Sequence, residues 1–122
     1  MVTVIGNPVH FIVNLLKSRM FNLQVEKDAQ RQIEAVLISG KIDYEREPHL
    51  SSKDIPDFRV LDGIFIEVKI KGNAKAIFDQ CERYSKHEKV QTIILMTNRA
   101  MGFPEQINGK PCYFINMGEA WL

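Results

Sequence analysis

Eight consecutive residues, Ile64-Phe65-Ile66-Glu67-Val68-Lys69-Ile70-Lys71, constrain this chain more than any other stretch. Side chains of a β-strand point alternately to its two faces. Ile64, Ile66, Val68 and Ile70 therefore share a wholly apolar face that must meet a core, while Phe65, Glu67, Lys69 and Lys71 share the other. A strand needing only solubility could carry any polar residues there. This one sets a carboxylate and an ammonium about 7 Å apart, two strand rises of about 3.3 Å.

Upstream, Pro56-Asp57 opens the preceding strand, Phe58-Arg59-Val60-Leu61, and Asp62-Gly63 between the two is a strong two-residue hairpin signal. That turn sets Asp57 across from the neighbourhood of Lys69, with strand partners about 5 Å apart. Asp57 and Glu67 are then expected to approach each other. Two carboxylates ~4 Å apart repel by about 4 kcal/mol at an effective dielectric of about 20. A shared proton or a bound cation relieves this. An oxygen-only site with few ligands and room for water suits Mg²⁺, with Mn²⁺ as a substitute.

The rest of the pattern predicts an α/β fold. Asn7-Pro8 reads as a cap and first turn for a helix over about His10 to Met20, and a second helix spans about Val25 to Ser39, burying Ala29, Ile33, Val36 and Leu37 before a stop at Gly40. Ile42 to Arg46 alternates as a strand, Asn73 caps a helix reaching about His87, and Val90 to Met96 is apolar enough for a buried central strand. A last strand, Cys112 to Ile115, follows the turn at Asn108-Gly109. The expected order is α-α-β-β-β-α-β-β, a mixed central sheet flanked by helices. Without repeats or linkers, residues 1–122 read as one domain. Its core lies at about 25–97, with a helical extension over 1–24 and a strand and tail over 98–122.

Several function classes are excluded. No apolar run approaches the ~20 residues of a membrane span and no leader pattern is present, so the chain reads as intracellular, cytoplasmic, with no membrane partner. Its two cysteines, Cys81 and Cys112, form no CxxC and read as reduced core thiols. His10, His49 and His87 lack zinc spacing, and no phosphate-binding glycine motif occurs. The net charge of +1 is nearly neutral. Lys69, Lys71, Lys75, Arg83, Lys86 and Lys89 nevertheless cluster along one strand and the helix after it, either as a phosphate-contacting stretch or as a solvated face. Arg46 ends its strand near Asp57, as a phosphate contact or as an ion-pair partner.

Pro56-Asp57, nine intervening residues, then Glu67-Val68-Lys69 resembles the PD-(D/E)XK nuclease motif. The resemblance covers about Val25 to Thr97 and implies a restriction-endonuclease-like core. It implies that Asp57, Glu67 and the Val68 carbonyl hold the metal, and that Lys69 positions or activates the attacking water. Gln80-Cys81-Glu82-Arg83-Tyr84 resembles the QxxxY pattern of RecB-like members, in which Gln80 and Tyr84 would arrange the active site or the DNA. VRR-Nuc domains and Holliday junction resolvases carry a further acid on the helix before the sheet. Glu26 is the choice here and Glu34 its rival; aligned on Gly40, the resolvase acid falls on Gln30, and the serine–glutamine signature of VRR-Nuc domains is not evident.

The implied activity is metal-dependent DNA endonuclease cleavage, structure-selective as in a junction resolvase, with Arg46, Lys71, Lys75 and Arg83 gripping phosphates. An exonuclease or nicking enzyme is the alternative, and a non-catalytic nucleic-acid-binding module the second. Cutting two strands calls for a homodimer, for which Phe11, Ile12, Leu15 and Leu16 offer an apolar face. The small size and lack of accessory modules suit a virus or mobile element.

Overall fold

A computed structural model describes residues 8–118. The elements run α1 (Pro8–Lys17), α2 (Glu26–Ser39), β1 (Tyr44–Arg46), β2 (Phe58–Val60), β3 (Ile64–Lys69), α3 (Ala74–Ser85), β4 (Thr92–Thr97), β5 (Gln106–Ile107) and β6 (Lys110–Asn116). One mixed sheet of six strands has the order β1-β2-β3-β4-β6-β5. β2 runs antiparallel to both β1 and β3, whereas β4 runs parallel to both β3 and β6. Among the described residues no helix is long and apolar enough to cross a membrane.

Both faces of β3 are covered, so the sheet is the middle of three layers. Ile64, Ile66, Val68 and Ile70 join Ile94, Met96 and Ile115 under α1 and α2. On the opposite face Phe65, Ile93 and Leu95 pack beneath Ile77, Cys81 and Tyr84 of α3. Asn73 caps α3 as its position predicts, its side chain accepting the Ala76 N–H at 2.7 Å.

The structure corrects several expectations. The Asp62-Gly63 hairpin has a three-residue turn: Val60 pairs with Ile64, and Leu61 takes a left-handed φ of 51°. Gly63 has φ 84°, and a Cβ there would lie 2.7 Å from the Gln91 side chain. Asn108-Gly109 does form a two-residue turn, with φ of 50° and 77°, but it joins β6 to a short strand, β5, that the sequence pattern had not revealed. At the end of α2 it is Lys41, φ 54°, that turns left-handed, while Gly40 stays right-handed. Asn7, the expected cap of α1, lies outside the described residues.

α1 also differs from its expected role as a dimer face. Ile12 and Leu16 are fully buried, with Val9 and Val13, in the chain's own core against β6 and α2. Only Phe11 of the expected apolar set is largely exposed. Leu16→Ala should therefore lower stability by about 2–5 kcal/mol. Phe11→Ala should shift it by no more than about 0.5 kcal/mol. Urea denaturation of the two variants checks the difference, and equal effects would contradict this packing.

Candidate active site

The site lies where β3 outruns its neighbour. β2 pairs only as far as Phe58 with Ile66, so the N–H groups of Val68 and Ile70 emerge on an edge with no strand beside it. Unpaired backbone donors in a folded chain are costly and are normally satisfied. Here two carboxylates do so. Asp57 Oδ2 accepts the Val68 N–H at 2.7 Å, and Glu26 Oε1 accepts the Ile70 N–H at 3.2 Å. Within an extended strand the N–H and C=O of one residue face the same edge, so the Val68 carbonyl also opens onto this notch. Asp57 is itself anchored from the far side, because its carbonyl accepts the Glu47 N–H at 2.9 Å.

Continuing the β2–β3 register by one residue brings Asp57 beside Glu67. Glu67 is only 3% exposed. Its Oε1 accepts the Tyr84 hydroxyl at 3.2 Å, and its Oε2 meets Lys69 Nζ at 3.2 Å. Burial and the nearby Asp57 charge push the Glu67 carboxyl well above the usual range, against the pull of Lys69 and Tyr84. Asp57 is also raised, by burial first and by Glu26, although the Val68 N–H opposes the shift. Burial alone would lower the Lys69 amine. The charges of Glu67, Glu26 and Asp57 outweigh that and hold it above its ordinary value. The Lys69 amine is thus held as an ammonium and a hydrogen-bond donor. The Tyr84 phenol, raised by burial and by Glu67, stays protonated and able to donate.

α2 supplies the second side. Gln30, 3% exposed, donates from Nε2 to Asp57 Oδ1 at 3.1 Å and accepts Arg46 Nη2 at its Oε1, also at 3.1 Å. Arg46 in turn pairs with Glu34 Oε1 at 3.1 Å and lies over the Phe58 ring, 4.9 Å from its centroid. Tyr44 donates to the other Glu34 oxygen at 2.6 Å. Of the two readings left open for Arg46, the structure gives the ion pair. The same network engages Glu34 away from Asp57. Glu26 is the helix acid that reaches the notch, and Gln30, which carries no charge, orients Asp57 instead.

Gln80 and Tyr84 part company. Tyr84 is fully buried against Glu67, whereas Gln80 lines a small cavity of about 130 Å³ with Lys69, Lys71 and the first turn of α3. Lys71 is exposed. Lys75 pairs with Asp79 at 2.8 Å, and Arg83 with Asp54 at 3.1 Å. Cys81 and Cys112 are buried, their thiols pushed up to about 12 and about 11 by burial, which suits inert core residues. Nothing in the sequence marks Asp54, which reads there as one acid in a polar loop. Its burial and its contacts with α3 come from tertiary structure alone.

Among the described residues no group of three or more His, Cys, Asp or Glu side chains is arranged to hold a metal. The donor set nonetheless suits a hard cation. Asp57, Glu67 and the Val68 carbonyl offer oxygen only, and each carboxylate oxygen keeps a lone pair beyond its present hydrogen bond. Mg²⁺ is commonly held by one or two carboxylates, the rest of its shell being water and phosphate. No protein-family model, curated protein or solved structure matches the chain.

Because both acids are raised, they favour the folded state fully only below the ordinary carboxylate range, and that contribution is lost as pH climbs through the raised values. Asp54 behaves oppositely: the His87 hydrogen bond, with Arg83, holds it low, so its contribution is lost only as pH falls. The melting temperature of chelated protein should fall between about pH 5 and about pH 8. Glu67→Gln should flatten that fall, since the amide can accept from Lys69 and donate to Tyr84. Mg²⁺ should raise the melting temperature more at the alkaline end. Melts at matched ionic strength test this, and a Glu67→Gln curve parallel to the parent's would refute it.

Proposed function

We propose that this chain is a metal-dependent nuclease of the PD-(D/E)XK type that hydrolyses DNA phosphodiesters. The observation carrying the reading is the meeting of Asp57 and Glu67 in one partly buried notch beside Lys69, with a single ammonium among three acids. Such an excess of buried negative charge is relieved by a divalent cation. The restriction-endonuclease-like core is part of the proposal. Three antiparallel strands, a helix and a parallel strand in succession support it.

Asp57, Glu67 and the Val68 carbonyl would hold the ion, with Glu26 at the rim. Bound there, it would act as a Lewis acid on the scissile phosphate and lower the pKa of the attacking water. Lys69, kept protonated by the acids around it, orients that water and stabilises charge developing on the phosphate. Tyr84 fixes one Glu67 oxygen, and Gln30 and the Val68 N–H fix both Asp57 oxygens, so the acids do not reorganise during reaction. Lys71 and Gln80, which line the cavity beside Lys69, would hold a flanking phosphate. A branched DNA is the first substrate to try. Cutting both strands would need a pair of subunits meeting through a surface other than the buried face of α1.

A second reading has one observation in its favour. Gln30 stands where the resolvase resemblance would put an acid, and a non-catalytic nucleic-acid-binding module would tolerate that. Incubating the protein with labelled four-way junction, flap and linear duplex, with Mg²⁺ or with chelator, separates the two. The nuclease cuts at least one substrate only with Mg²⁺, and Lys69→Ala and Glu67→Gln each lose at least about 100-fold in rate. Variants as fast as the parent would overturn the assignment. Binding without cleavage, indifferent to chelation, would establish the module.

A further inference from the structure

The loop between β1 and Asp57 is tied into a knot around Asp54. Its carbonyl accepts the Leu50 N–H at 2.9 Å and the Ser51 N–H at 3.3 Å, while its own N–H donates to Ser51 Oγ at 3.0 Å. The side chain, although charged, is largely buried and spends both oxygens on the last turn of α3 and the residues just after it. Oδ1 accepts Arg83 Nε at 3.1 Å and Oδ2 meets His87 Nε2 at 2.8 Å. Tyr84, between these two partners in sequence, donates to Glu67. One helix end thus grips both sides of the acid pair: Glu67 directly, and Asp57 through a loop whose anchor lies three residues before it. Ile55 and Pro56 are all that intervene. Proline fixes its own φ and restricts the residue ahead of it, so this connection transmits a shift rather than absorbing it.

We propose that Asp54 is a positioning residue that sets the separation of the Asp57 and Glu67 carboxylates, and with it the affinity of the pair for a divalent cation. The second clause rests on the cation-site reading above; the first does not. Asp54 touches no reacting atom. Its removal lets the loop carrying Asp57 relax away from β3, which weakens the repulsion between the acids and opens the ligand set.

A thermodynamic cycle in chelated protein, near the alkaline end of its stable range, tests the spacing without metal or DNA. Glu67→Gln raises the melting temperature of the parent by removing the repulsion. In an Asp54→Ala background that rise should be at least halved. Asp54→Asn is the deciding control: it removes the charge but keeps an acceptor for Arg83 and a donor for the other tautomer of His87. The full rise should return there. Equal rises in all three backgrounds, or a loss in both Ala and Asn, overturn the proposal, the latter because charge rather than position would then be the link. Should Asp54→Ala fail to fold, the double variant Arg83→Ala, His87→Ala removes the same contacts from the helix side. Mn²⁺ titration followed by electron paramagnetic resonance gives the second readout. Asp54→Ala should bind about tenfold more weakly than the parent or Asp54→Asn; unchanged affinity would count against the clamp, whereas a parent that binds no Mn²⁺ refutes the second clause with the cation-site reading and leaves the cycle to decide the spacing.

Discussion

A single hydrogen bond, from the Val68 N–H to the Asp57 carboxylate, organises the working end of this molecule. It exists because β3 is longer than β2. Where pairing stops, the backbone of β3 still requires acceptors, and an acid from the incoming strand provides one. The same bond holds Asp57 where the continued β2–β3 register puts it, in the field of Glu67. Satisfying a strand edge and assembling a pair of acids are thus one event. Had β2 continued for two more residues, β3 would have been paired by backbone and the notch would have closed.

Holding two acids in a partly dry site opposes folding, and the surroundings show how that is offset. Glu67 retains a lysine and a phenol, and Asp57 a backbone N–H and an amide. The amide is oriented by Arg46, which is held by Glu34, which is held in turn by Tyr44. This chain runs from the outer strand through α2 to the notch. Every donor in it has one sensible direction, so Gln30 presents its nitrogen rather than its oxygen to Asp57. The arrangement keeps both carboxylates in place at a cost in local charge balance, a pattern characteristic of sites whose residues are tuned for chemistry.

Much of this was legible in the sequence, for a definite reason. β3 alternates so strictly that its faces, and hence the side on which Glu67 and Lys69 lie, follow from period two alone. The Asn73 cap and the Asn108-Gly109 turn are local signals that tertiary structure left intact. Other features depend on contacts between distant residues. Leu61 in a left-handed conformation contradicts local preference and is stabilised by the strands it joins, with the Leu61 N–H on the Asp43 carbonyl at 2.9 Å. That one extra turn residue moves Asp57 from the neighbourhood of Lys69 to the side of Glu67. β5, two residues long, has no periodicity to read. The apolar stripe of α1 was visible, but an amphipathic helix facing its own sheet and one facing a second subunit have the same pattern. Gln30 stands out by its alignment on Gly40 and Asp54 by nothing at all, and only the fold reveals what each of them holds.

α1 closes the sheet by contact with its last long strand. The His10 and Tyr113 rings meet edge to face at 5.8 Å across a sequence separation of 103 residues. During synthesis on the ribosome, then, α1 emerges well before β6 and must wait for it. Until β6 emerges, Val9, Ile12, Val13 and Leu16 lack the partners it supplies and remain available to other apolar surfaces. Nascent chains in that interval are suited to chaperone capture and prone to self-association. The β2–β3 hairpin, by contrast, joins residues close in sequence and can form without waiting for the rest of the chain.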